Sequence, residues 1–121
     1  MGVIEIIQGM LDELVNKEVV SNVVAATRDG LLIASSPYKG FKEEVFAAMC
    51  ATILASAETA LSELVGGTPE IIFARGEKST LVVMGAGNTA LVGVVLSSEG
   101  GVDEVEKVAE NVGRVIDGYR E

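Results

Sequence analysis

The stretch KEEVFAAMCATILASAETALSELV, Lys42 to Val65, reads as one long helix with two uncharged sides of different make-up. On a wheel of 3.6 residues per turn, Phe46, Met49, Cys50, Ile53, Leu54, Leu61 and Leu64 form a broad apolar face, which is expected to meet a core. The other side holds Ala47, Ala48, Ala51, Thr52, Ala55 and Thr59, with no charge between Glu44 and Glu58. A helix side facing water normally carries Lys, Arg and Glu, so this side is expected to be covered. Small side chains let a second helix come close, which makes a symmetric dimer the simplest cover. Alanine is also the best helix former, so water is the competing cover. Gly66-Gly67 followed by Pro69 supplies the stop signals.

Upstream of this helix, Val23 to Thr27 reads as a strand, and Asp29-Gly30 is a strong hairpin signal, expected to form a type I′ turn. Leu31 to Ser35 returns, and Pro37 and Gly40 end that strand. At the start of the chain, Val3, Ile4, Ile7, Met10, Leu11, Leu14 and Val15 recur at helical spacing, while Glu5, Asp12 and Glu13 point away. Downstream, Ile71 to Arg75, Thr80 to Ala86 and Ala90 to Leu96 read as strands separated by Gly76-Glu77-Lys78 and Gly87-Asn88. Gly100-Gly101 leads into a last helix with Val102, Val105, Val108, Ala109, Val112, Ile116 and Tyr119 on one face. Asp103 and Glu104 suit its first turn, where the helix dipole favours negative charge.

The predicted order is therefore α-β-β-α-β-β-β-α in a single domain spanning residues 1–121. Short hairpin links make the five-stranded sheet mainly antiparallel, yet Leu81 to Met84 and Leu91 to Leu96 are continuous apolar runs that need cover on both faces. The arrangement expected is an α/β, or α+β, three-layer sandwich, with the long middle helix on one face and the first and last helices on the other.

Composition narrows the function by exclusion. A chain of 121 residues buries enough surface to fold without a metal or disulfide. The lone Cys50 is expected to be a core hydrophobe in a reducing, cytoplasmic setting, and Met1 to Val15 lacks the basic start of a secretory leader. Ser79 to Ser98 runs uncharged for the length of a membrane span, but Gly85, Gly87 and Asn88 interrupt it and β-branched residues fill its halves. Two strands are expected there. A net charge of -9 argues against nucleic acid and against an anionic membrane surface. Protein partners fit an acidic chain whose mean hydropathy is nonetheless positive, at +0.43.

No chemistry-bearing motif appears. With no His, the commonest general base and metal ligand is missing, and one Cys cannot hold zinc. Asp12-Glu13, Glu43-Glu44 and Asp103-Glu104 read as solvated helix positions. Gly85-Ala86-Gly87 lies between two strands with no helix N-terminus to meet a phosphate, and no Gly-x-x-x-x-Gly-Lys-Ser/Thr loop occurs. Ser35-Ser36 lacks nucleophile-elbow glycines and a base. No catalytic residue, cofactor or metal is expected, and the chain is read as a non-enzyme.

From the first helix through Asn22-Val23-Val24-Ala25-Ala26-Thr27-Arg28-Asp29-Gly30-Leu31-Leu32-Ile33-Ala34-Ser35 into an alanine-rich helix, the chain resembles the Roadblock (dynein light-chain) domain over nearly its whole length. The resemblance implies a non-catalytic accessory role: such domains form homodimers or heterodimers and bind or regulate Ras-like small GTPases, or serve as adaptor subunits. It implies pairing of long helices and of the edge strands that follow them. On this chain those positions are Ala47, Ala48, Ala51, Thr52, Ala55 and Thr59 on the helix, and Ile71, Ile72, Phe73 and Ala74 on the strand. An apolar edge strand without Pro or inward charge asks for a partner on physical grounds too. The function expected is a homodimeric regulator or scaffold for a Ras-like small GTPase. The alternatives are a small-ligand sensory module of profilin-like or PAS-like layout, with an apolar molecule held between sheet and helix, and a structural adaptor subunit of a larger complex.

Overall fold

A computed structural model describes residues 2–36, 41–97 and 100–120. The strand end expected at Pro37 and Gly40 and the side chain of Tyr119 lie outside them. The elements are α1 (Val3–Val15), β1 (Val20–Thr27), β2 (Leu32–Ser36), α2 (Glu43–Leu64), β3 (Ile72–Arg75), β4 (Thr80–Ala86), β5 (Ala90–Leu96) and α3 (Val102–Arg120). They form one five-stranded sheet in the order β2-β1-β5-β4-β3, antiparallel at every pairing. The β1–β5 pairing brings residues about seventy apart into register, Val24 opposite Gly93, and closes the centre of the sheet.

Period-two alternation on these strands divides the core between two layers. Val23, Ala25, Val82, Met84, Val92 and Val94 face α1 and α3, where they meet Ile7, Leu11, Leu14, Val105, Ala109 and Val112. Each of the larger of these side chains contributes about 1.5–3 kcal/mol by leaving water. Val24, Ala26, Val83 and Leu91 face the other way, toward α2. The expected three-layer sandwich, with the middle helix alone on its side, is the fold. The uncharged run from Ser79 is β4 and β5, both largely buried. α2 is long and apolar enough to cross a bilayer by length and composition, but here it packs one face on the sheet.

Three expectations need correcting. Ile4, grouped with the core of the first helix, is 61% exposed. The β1–β2 turn is not type I′, because Asp29 has no positive φ and only Gly30 does, at 97°. The Gly30 amide donates to the Thr27 carbonyl and the Thr27 amide to the Leu31 carbonyl, so the loop holds one residue more, with glycine in the left-handed position.

On α2, Phe46, Cys50, Ile53 and Leu54 meet the α2-side core as expected, and the limits of the sheet-facing side are what differ. Ala47, Cys50, Ala51 and Leu54 are buried against the sheet, whereas Met49 is 58% and Leu64 81% exposed. The reason is closeness. A Cβ at Gly93 would lie 2.4 Å from the Cys50 Sγ, and one at Gly30 would lie 3.3 Å from the Ala48 Cα, so the helix rests almost on the backbone of β5 and of the first hairpin. The sheet supplies bulk through Val24, Val83 and Leu91, and at the closest approach the helix presents the small residues Ala47, Cys50 and Ala51.

Candidate functional site

The outward side of α2 is an uncharged surface that nothing else among the described residues covers. Turned away from the sheet, Val45, Ala48, Met49, Thr52, Ala55, Ser56, Thr59 and Ala60 are all exposed. No charge occurs from Val45 to Ala57. Glu44, Val45, Ala48, Met49, Thr52 and Ile53 line a shallow groove of about 620 Å³. Two turns further on, Ala55, Ser56, Thr59 and Ala60 floor a second hollow of about 430 Å³. Both hollows open outward.

The ten positions implicated in pairing separate accordingly. Ala48, Thr52, Ala55 and Thr59 lie on the outward side, as expected. Ala47 and Ala51 do not: their own sheet and hairpin bury them, so a second chain cannot reach them. Val45, Met49, Ser56 and Ala60 take their places, and wheel position alone marks them once the sheet-facing side is known.

On the strand, β3 pairs with β4 alone among the described residues, leaving its other edge open. Ile72 leans against the α2-side core and Ile71 against the other. Ala74 is exposed, and Phe73 is 53% exposed although it sits opposite the fully buried Val82. An apolar strand edge with an exposed phenylalanine is a place for strand addition.

Polar contacts anchor these elements without making a reactive centre. Arg28 Nη1 donates to the Glu58 carboxylate at 2.7 Å, and Nη2 to the Gly87 carbonyl at 3.0 Å. The guanidinium lies on Gly85, where a Cβ would come within 2.4 Å of Nη2. Both partners of the ion pair are about one third exposed, which limits its worth to about 1 kcal/mol. It nevertheless ties α2 to both hairpins at one end of the sheet. Gln8 Nε2 donates to the Ser35 carbonyl and Ser36 Oγ to the Asp12 carboxylate, so the serine pair at the end of β2 is a link to α1. Asp117 accepts from the Asn88 amide at 3.1 Å and holds the β4–β5 turn from the α3 side.

Burial raises the Cys50 thiol pKa from 9.0 to about 12, so it is a neutral packing group and not a nucleophile. We expect no labelling by a thiol reagent at pH 8 in the native protein and full labelling in denaturant. The unfolded thiol ionises at lower pH than the folded one. The stability Cys50 contributes is therefore complete below about pH 9 and falls as pH rises toward 12, a loss that Cys50→Ala removes from a pH–stability profile. Among the described residues no group of three or more His, Cys, Asp or Glu is placed to hold a metal ion. Nor is there room for a ligand where α2 meets β5, since the Gly93–Cys50 contact fills that space.

The Roadblock/LC7 domain model matches residues 6–97. Among solved structures, the gliding protein MglB of Thermus thermophilus superimposes with a TM-score of 0.85 at 20% identity, covering 98% of this chain and 93% of that one. MglB of Myxococcus xanthus gives 0.83 at 19%, covering 95% and 90%. A Roadblock/LC7 domain from Streptomyces avermitilis gives 0.80 at 16%, covering 93% and 95%. At these identities the likeness is one of fold. Curated protein sequences yield no match. The extent of the family match and the shared order of helices and strands lead to one conclusion: this chain belongs to the Roadblock/LC7 domain family.

Proposed function

We propose that the chain acts as a homodimeric regulator or scaffold of a Ras-like small GTPase in a reducing, cytoplasmic setting. A Roadblock/LC7 domain is a non-catalytic scaffold, and a GTPase-regulatory role is consistent with its fold. The observation that carries the homodimer is the uncharged outward side of α2 in the same chain as an apolar edge strand, β3, whose outer edge is open among the described residues. Neither suffices alone. From Val45 to Glu63 the helix is about 27 Å long at 1.5 Å per residue, so a footprint one helix wide covers on the order of 300 Å² per copy. A stable interface uses about 800 Å² per partner. Strand addition at β3 is the natural remainder, extending two sheets into one.

The dimer then presents one continuous surface to the GTPase and biases its nucleotide state by binding one state more tightly than the other. Arg28 is held by Glu58 and Gly87, and Arg114 donates to Asn111, so neither is poised as an arginine finger. Any effect on hydrolysis acts through the GTPase's own residues. The test is GTP hydrolysis and nucleotide release by a cognate Ras-like GTPase with and without this protein. We expect saturable binding and a changed rate for one of the two steps. No binding and unchanged rates would remove the regulatory reading.

A further inference from the structure

We propose that the homodimer holds one helix of a partner protein in a groove on the side of the sheet away from α2, floored by Phe73 of both copies and walled by Glu106 and Glu110 of both. The inference rests on the homodimer reading above and adds a second docking face to it. On this side α1 lies over β1 and β2 and α3 over β4 and β5, so β3 is the strand left without a helix above it among the described residues. Phe73 points to this side, because it sits opposite Val82, whose side chain belongs to the core under α1 and α3. Val82 is fully buried there and Phe73 is not.

Strand pairing turns this ledge into a groove. When β3 joins its copy edge to edge, the two sheets become one and both Phe73 side chains come to lie between the two α3 helices. Strands stand about 4.8 Å apart, so the two α3 axes, each centred between β4 and β5 of its own copy, are about 19 Å apart across the join. Helices pack at about 8–10 Å between axes, so one helix fits between them and two do not.

Charge selects the occupant. Glu106, Glu110, Gly113 and Asp117 are spaced 4, 3 and 4 apart and share one flank of α3. The opposite flank, with Glu104, Val108 and Asn111, faces α1, so the Glu106 flank faces the groove. Asp117 is engaged by the Asn88 amide, whereas Glu106 and Glu110 are exposed. Among the described side chains of α3 no cation offsets them, since Lys107 lines the α1 side and Arg114 donates to Asn111. Arg75, two residues beyond Phe73 at the end of β3, already has a partner. The fitting occupant is therefore amphipathic, apolar along the side laid on the two Phe73 rings and carrying Lys or Arg on both flanks.

The probe is a fluorescent peptide of α3's length, built from Leu, Ala and Lys with Leu along one side of the helix and Lys on both flanks. Anisotropy titration is expected to show saturable binding of one peptide per two chains, and none for the same peptide with Glu in place of Lys or Ser in place of Leu. Glu106→Lys combined with Glu110→Lys is expected to weaken binding on the order of 100-fold. Glu5→Lys combined with Glu13→Lys changes the net charge equally at exposed positions on α1 and is expected to leave binding unchanged. Equal losses in the two double variants would show mere attraction to an acidic chain and overturn the proposal. One peptide per chain, or no binding at all, overturns it as well. Light scattering of the unbound protein then says what else fails: a two-chain mass without peptide binding removes the groove and leaves the homodimer standing, and a single-chain mass removes both.

Discussion

Gly113→Ala is expected to cost about 3 kcal/mol, a large loss for one added methyl group. A Cβ at position 113 would lie 2.3 Å from the Gly87 amide nitrogen and 2.7 Å from the Ala86 carbonyl carbon. Those are backbone atoms at the start of the β4–β5 turn and cannot rotate aside. Gly87 itself has a φ of 66°, so the turn has little freedom to adjust. Relief requires α3 to lift from the turn, which breaks the Asp117 bond to the Asn88 amide and loosens Val112 and Ile116 on the sheet. Thermal or urea unfolding of the variant beside Gly118→Ala measures the effect. The control adds a methyl group on the same helix where no atom lies within 4 Å, and is expected to be neutral or slightly stabilising. Equal stabilities for the two variants would mean that α3 does not press on the turn.

Met49→Glu is expected to weaken self-association at least 100-fold, a loss of about 3 kcal/mol at 1.4 kcal/mol per tenfold, with little change in the stability of the single chain. Met49 is exposed in that chain, so a carboxylate there disturbs nothing internal. In the dimer the same carboxylate would be buried without a partner on an apolar seam. Ala51→Glu makes an instructive contrast. Ala51 lies under the first hairpin, 3.5 Å from where a Gly30 Cβ would be, so that substitution attacks the core and unfolds the chain. Concentration-dependent sedimentation for Met49→Glu and a melting curve for both variants separate the two effects. A Met49→Glu protein that associates like the wild type would show that the outward side of α2 faces water.

Much of the fold was legible before any coordinate. α1, β4 and β5 have the bounds expected from periodicity and turn residues, and α3 begins where Gly100-Gly101 announces it. β1 starts three residues earlier than expected because Ser21 and Asn22 look like loop, and a register irregularity between Val20 and Asn22 hides the alternation. The Asp29-Gly30 hairpin was legible as a hairpin but not as a type, since one extra residue in the loop changes which positions need a positive φ.

The candidate site was legible in part: Ala48, Thr52, Ala55 and Thr59 face outward as expected, whereas Ala47 and Ala51 do not. A wheel turns Phe46, Cys50, Ile53 and Leu54 toward the sheet correctly, but it does not show where the sheet-facing side ends. Ranking positions by side-chain size puts Met49 and Leu64 inside and Ala47 and Ala51 outside, the reverse of what occurs. What decides is how near the helix can come, and that is set by Gly93 on β5 and Gly30 in the first hairpin, both distant in sequence from the residues they admit. The link from Arg28 to Glu58, thirty residues apart, was equally invisible because no local pattern marks an ion pair across layers.

The claim on which the functional reading depends is that a second copy covers the outward side of α2 and the edge of β3. Sedimentation equilibrium of the unmodified protein at micromolar concentration tests it directly. A mass twice that of the 12.6 kDa chain is expected. A single-chain mass that persists as concentration rises would contradict it.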